Sequence, residues 1–215
     1  LPWPFVRRRK PHWRPSPSGS RYARRRPRSG NRDAAQNQNG DDLSLEERFL
    51  EAVEDNDRNE VEACLAAGVD LTCTTLEGYN AIMVAASFNS TAVVDPLVAA
   101  KVDLDLIAPN ETTATILCGY TGNYECLQAL FSACYKYGLQ LPNLEVELGN
   151  GCTALYLAAQ EGCPQSVRAL VQAKADTSHE SEDGVTPLFV AIHEQHTETV
   201  RELLRGNTGD VNAVN

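Results

Sequence analysis

The chain has 215 residues, 42% of them hydrophobic and 7% aromatic, with a formal net charge of −10, a size that suits one array or domain plus a tail. It holds no run of 18 apolar residues, which argues against a transmembrane helix, and no charged-then-apolar secretory leader is visible. The mean charge hides a division: residues 1–32 hold eleven basic and no acidic residues, leaving eight basic against 29 acidic ones, a net of −21.

Residues 1–32 carry one basic run at Arg7–Lys10 and another at Arg24–Arg28. Pro, Ser, Trp3, Phe5, Val6, Trp13 and Tyr22 are scattered among them without helical or strand period. Such a composition buries too little apolar surface to offset ordering entropy, so a disordered tail is expected. Residues 33–42, rich in Asn, Gln, Gly and Asp, read as a linker. The basic runs fit a solvated arm, a nuclear-import signal, or contact with nucleic acid or with the acidic remainder. A mitochondrial transit peptide is a fourth reading, although the prolines spoil an amphipathic helix. The only methionine is Met83, and Gly209-Asp210-Val211-Asn212-Ala213 reads as the start of another structural unit, so the sequence is expected to be a fragment.

From residue 43 onward four sets of positions recur in step. Val61, Val94, Leu127, Val167 and Val200 are spaced 33, 33, 40 and 33. The same spacing holds for Leu65, Val98, Phe131, Val171 and Leu204, for Ala52, Ala85, Cys118, Ala158 and Ala191, and for Cys64, Leu97, Leu130, Leu170 and Leu203. A period of 33 residues predicts helix–turn–helix units that bury their apolar faces only by stacking.

The first unit opens with Ser44 and Glu47 at capping-box spacing. Its helix is expected to bury Phe49, Leu50, Ala52 and Val53 and to turn Glu51, Glu54 and Asp55 to water, as an N-terminal cap unit requires. In the second unit Pro96 lies well inside a helical pattern and predicts a kink or a late helix start. The third unit has Glu111 where the others have Gly78, Gly151 and Gly184, and Gly119 where Ala is usual; its core line Ile116, Leu127, Leu130 and Phe131 is intact. Glycine there suits a positive φ between an extended finger and a helix. Seven extra residues fall within Ser132–Asn150, where Leu144, Val146 and Leu148 alternate with Glu145 and Glu147 at a strand-like period. A longer helix end with an extended finger is expected there, or else a protruding recognition loop. Thr113, Thr153 and Thr186 suit helix N-caps, and Pro164 and Pro187 suit first helical turns.

Gly184-Val185-Thr186-Pro187-Leu188-Phe189-Val190-Ala191 resembles the ankyrin pattern G-x-T-P-L-H-x-A, with Phe for His. Gly151-Cys152-Thr153-Ala154-Leu155-Tyr156-Leu157-Ala158-Ala159 is a second close match. The resemblance covers residues 43–215 and implies an all-α solenoid of stacked helix–turn–helix units with short β-hairpin fingers, preceded by the tail and linker over 1–42. Its units run over about 43–77, 78–110, 111–150 with the insertion, 151–183 and 184–215, the last incomplete.

Enzyme chemistry is not expected. His193-Glu194-Gln195-His196 is one residue short of H-E-x-x-H, and no third ligand is in view. Cys118, Cys126 and Cys134 stand eight apart, which is not zinc spacing. Cys64, Cys118 and Cys126 fall in predicted helices, as reduced intracellular thiols do. No phosphate loop, cofactor or metal site is expected.

The ankyrin resemblance implies a non-catalytic scaffold that binds a partner protein through its concave groove, at finger tips and at the pair following the small-residue pair. By register these are Leu76, Glu77, Tyr79, Ser87 and Phe88 in unit two, and Asn110, Thr112, Tyr120 and Thr121 in unit three. Unit four supplies Asn150, Cys152, Gln160 and Glu161, and unit five Glu182, Asp183, Val185, His193 and Glu194. Phe88, Tyr79 and Tyr120 would anchor the N-terminal half, and the C-terminal half would be acidic. A partner segment with an apolar anchor and basic flanks follows, bound by a monomeric, cytoplasmic array, with nuclear entry through the basic tail and no membrane contact. Nucleic-acid association through the arm is the rival function, and a substrate-receptor fragment of a larger assembly such as a ubiquitin ligase is a third. The resemblance also implies hydroxylation at Asn212, eight residues after Leu204.

Overall fold

A computed structural model describes residues 43–208, with the side chains of residues 207 and 208 left aside. The expectations for the basic tail, the linker and Asn212 lie outside the described residues.

Among the described residues ten helices alternate in two layers. The inner helices are α1 (Leu45–Glu54), α3 (Ala81–Phe88), α5 (Ala114–Thr121), α7 (Ala154–Gln160) and α9 (Pro187–His193). The outer helices are α2 (Arg58–Ala66), α4 (Thr91–Ala99), α6 (Tyr124–Tyr137), α8 (Pro164–Gln172) and α10 (Thr197–Thr208). Each inner helix packs on the next inner one, and each outer helix on the next outer one. Helices this short are marginal alone, so stacking supplies their stability.

Local chemistry sets each boundary. Ser44 and Glu47 form the expected capping box on α1. Asn80, Thr113, Thr153 and Thr186 cap α3, α5, α7 and α9 by accepting a backbone N–H, and Pro164 and Pro187 sit in first turns. Between inner and outer helices the chain reverses at a left-handed residue: Asn56, Asn89, Gly122, Gly162 and Gln195. The Asn side chains then tie units together, Asn56 Oδ1 accepting from Ala92 N at 2.9 Å and Asn89 Oδ1 from Cys126 N at 3.1 Å. In the opposite direction Ser90 Oγ, Asn123 Nδ2 and His196 Nε2 reach the carbonyls of Glu54, Ala86 and Gln160 at the ends of preceding inner helices. These contacts satisfy orphan groups that helix ends otherwise leave to water.

The core runs between layers. Val61, Val94, Leu127 and Val167 are wholly buried, as are Ala85, Cys118, Ala158 and Ala191. The series ending in Leu204 holds only in the middle: Val98 and Phe131 are buried, but Leu204 is exposed because no described helix pair covers α9 and α10. Its neighbours Phe189 and Ile192 are exposed for the same reason, whereas their register counterparts Tyr156 and Ala159 are buried.

Two expectations change, and the longer helix end expected at the insertion is present. Pro96 does not delay its helix, since α4 starts at Thr91 and runs through Pro96 to Ala99; the stacked neighbours α2 and α6 hold it in place. The insertion appears mainly as helix: α6 has 14 residues where α4 and α8 have nine. Its added turn lies along α4, with Lys136 Nζ 2.7 Å and Tyr137 Oη 3.3 Å from Asp95 Oδ1. No strand occurs among the described residues, and Leu144–Leu148 form none. The fingers are tight turns closed by Thr75 N to Tyr79 O, Ala108 N to Thr112 O, Leu148 N to Cys152 O and Ser181 N to Val185 O. Side-chain carboxylates take the place of a ladder: Asp105 accepts from Asn143 N at 2.7 Å, and Glu145 from Asp176 N at 2.9 Å.

Candidate functional site

The exposed face combines the finger tips with the C-terminal ends of the inner helices. Because inner helices stack in order, residues at one register position form rows across the array. At the helix ends one row reads Glu54, Ser87, Tyr120, Gln160, His193, and the next reads Asp55, Phe88, Thr121, Glu161, Glu194. On the fingers the rows are Leu76, Pro109, Gly149, Glu182, then Glu77, Asn110, Asn150, Asp183, and four residues before each left-handed position Thr74, Ile107, Glu147, Glu180.

Most of the expected residues lie on the surface. Leu76 is 75% and Phe88 50% exposed, and Glu77, Glu161, Glu182, Asp183, His193 and Glu194 are exposed, while Ser87, Tyr120, Thr121 and Gln160 are half-buried. The Ser87 and Thr121 hydroxyls donate to the carbonyls of Met83 and Leu117 one turn back, so their protons serve the helix. Tyr79 is a correction: it is only 7% exposed, and its hydroxyl accepts from Asn110 Nδ2 at 2.8 Å. It braces two fingers instead of presenting a ring. Thr112 and Cys152 are also buried. Sequence reasoning missed Ile107, 54% exposed, because the finger was read only at the residues beside its turn.

The electrostatics change along the rows. In units two and three the exposed face carries Leu76, Ile107 and Phe88 beside Tyr120, with Glu77 the one acid on these rows; in units four and five it carries Glu147, Glu161, Glu180, Glu182, Asp183 and Glu194. Glu182, Asp183 and Glu194 act on buried groups. Burial pushes the Tyr156 phenol up to about 12, with Cys152, Asp183 and Glu194 adding to it. Burial and the charges of Asp183 and Glu182 likewise take the Cys152 thiol to about 12. A finger acid and a helix-end acid thus act on the same phenol. At the other end burial raises the Glu54 carboxyl, reinforced by Asp55 and Glu51.

None of the array's eight Lys and Arg residues occupies these rows. Several are held on the outer helices by acids: Arg58 to Glu62 at 2.7 Å, Lys136 to Asp95 at 2.7 Å, and Arg168 and Arg205 to the buried Glu202 at 2.8 and 2.7 Å.

Reactive geometry is sparse. His193 Nδ1 lies 3.2 Å from Glu194 Oε1, and His196 turns its Nε2 to a backbone carbonyl with its ring against Gly162. Among the described residues no three His, Cys, Asp or Glu side chains gather as a metal site, and no helix is long and apolar enough to cross a membrane. The face has the means to hold a ligand by apolar contact and charge.

No curated protein matches the sequence. The family model for ankyrin repeats (3 copies) matches residues 49–139 and again 118–215. Ankyrin repeats are generally protein–protein interaction modules without catalysis of their own. Stacked helix pairs, left-handed finger turns and this match over most of its length agree: the chain belongs to the ankyrin-repeat family.

Proposed function

We propose that this chain is a binding scaffold that holds a partner protein on the finger and inner-helix face, without catalysis of its own. The observation that carries the reading is the pairing of exposed Leu76 and Phe88 with a face free of Lys and Arg. Exposed aromatic and aliphatic side chains supply binding energy once buried, and a single-sign acidic field favours basic partners. The partner segment carries an apolar anchor flanked by basic residues. A cytoplasmic setting, with nuclear entry through the basic tail, fits the buried free thiols Cys64, Cys118, Cys126, Cys134 and Cys152.

Affinity capture with the full 215-residue chain tests this. Recovery of a partner is expected to fall as salt rises and to drop at least tenfold in Phe88→Ala or Tyr120→Ala. Recovery indifferent to both changes moves the interaction to another surface.

Residues 1–32, with eleven basic and no acidic residues, favour a second activity, nucleic-acid association through counterion release. A salt-sensitive gel shift by the full chain, lost on deleting residues 1–32, is its signature. A shift retained after the deletion rules it out.

A further inference from the structure

The finger face changes character along its length. Leu76, Ile107 and Phe88 give units two and three exposed apolar side chains, and Glu161, Glu182 and Glu194 give units four and five exposed carboxylates. One finger row (Thr74, Ile107, Glu147, Glu180) and one helix-end row (Phe88, Thr121, Glu161, Glu194) turn acidic at unit four, and the other two finger rows carry Glu182 and Asp183 at unit five, with Glu77 the one acid of these rows in units two and three. The eight cations of the array lie off these rows, so neither half is neutralised locally.

The distance between the halves follows from the stacking. Phe88 ends α3 and Glu161 follows α7, two inner-helix steps apart, with Glu194 a third step on. Packed helices stand about 8–10 Å apart, so anchor and first acid are separated by about 16–20 Å. An extended chain advances about 3.3 Å per residue, which makes this span about five or six residues. A helix would need about 12 residues at 1.5 Å each and a channel about 10–12 Å wide. Anchor and acid lie on the same row, Phe88, Thr121, Glu161 and Glu194, at one residue per stacked unit, a step that an extended strand covers in about three residues.

We infer that the occupant is an extended segment of a partner protein with two parts: an apolar or aromatic anchor seated on units two and three, and a basic cluster five to nine residues away seated on units four and five. This rests on the reading of the finger face as the docking face.

Fluorescence anisotropy on the full chain tests it with three labelled peptides. Each has a Leu-Trp anchor and an Arg-Lys-Arg cluster, joined by Gly-Ser spacers of about two, six or twelve residues. The six-residue spacer is expected to bind at least tenfold tighter than the two-residue one and tighter than the twelve-residue one. Phe88→Ala and Glu161→Gln are each expected to remove that preference, and binding is expected to weaken with salt. A best fit at twelve residues overturns the extended geometry. Equal binding of all three, dependent on acid residues but not on Phe88, overturns the two-part motif and leaves only charge attraction. If no peptide binds while captured partner still depends on Phe88, the motif is wrong and the docking face stands. If capture is also indifferent to Phe88, the docking face itself is wrong.

Discussion

Glu111 stands in the left-handed conformation at φ +65°, the place that Gly78, Gly151 and Gly184 fill in the other fingers, and its carboxylate accepts the backbone N–H of Gly149 in the next finger. The strain of a non-glycine residue there is about 1 kcal/mol, and a hydrogen bond to a charged acceptor returns about 1.5–3 kcal/mol. Glu111→Ala is expected to keep the strain and lose the bond, destabilising the array by about 1–2 kcal/mol in urea titration. Glu111→Gly relieves the strain as well and is expected to cost less. A larger loss for Gly than for Ala would show that the left-handed position is not strained, and no loss in Ala that the bond to Gly149 contributes nothing.

Gly119 repeats the lesson in the core. A Cβ at this position would stand 2.4 Å from the carbonyl oxygen of Ala154 at the start of α7. Overpacking of that kind costs about 1–3 kcal/mol, so Gly119→Ala should lower the melting temperature although Ala raises helix propensity. An unchanged or higher melting temperature would mean that α5 and α7 separate easily.

Ser166 is buried on α8, and its hydroxyl has no hydrogen-bond partner. Its register counterpart on α4 is Val93, also buried. Removing an unsatisfied hydroxyl recovers part of a desolvation penalty of about 1–3 kcal/mol. Ser166→Ala is expected to raise the denaturation midpoint with the slope unchanged; a lower midpoint would imply that the hydroxyl is satisfied in solution.

Acid should weaken the stack. Hydrogen bonds from Thr72 hold the Asp70 carboxyl below its usual range, those from Ser178 do so for Asp176, Lys136 for Asp95, and Arg168 for Glu202. A carboxyl depressed in the folded state contributes stability that is present above its unfolded pKa near 4 and lost as pH falls through the folded value. Melting temperature should therefore decline below about pH 4, while the Glu54 carboxyl, raised by burial, works in the opposite sense and lowers stability as it ionises above that range. Glu202→Gln should make that decline shallower, as followed by circular dichroism across pH.

Much of this architecture is legible in the sequence because stacking repeats one set of demands. Ala52, Ala85, Cys118, Ala158 and Ala191 must be small for helices to approach, and each is buried. The capping threonines and the glycine turns follow from local backbone chemistry alone. What the sequence hides depends on neighbours along the stack. Tyr79 looks like an exposed ring until Asn110 of the next finger is seen beside it. The alternation of Leu144, Val146 and Leu148 looks like a strand, but its backbone closes locally, Glu145 N donating to Asn143 Oδ1 and Leu148 N to Cys152 O. Ile107 escapes because it stands four residues before the left-handed turn, outside the positions beside it.

The central claim is that the finger face selects a protein segment. Peptide display against the full chain tests it without a known partner. Enriched sequences are expected to pair an apolar anchor with a basic cluster, and enrichment should vanish in a folded Phe88→Ala, Glu161→Gln double variant. Enrichment of acidic sequences, or of any motif retained by that variant, would contradict it.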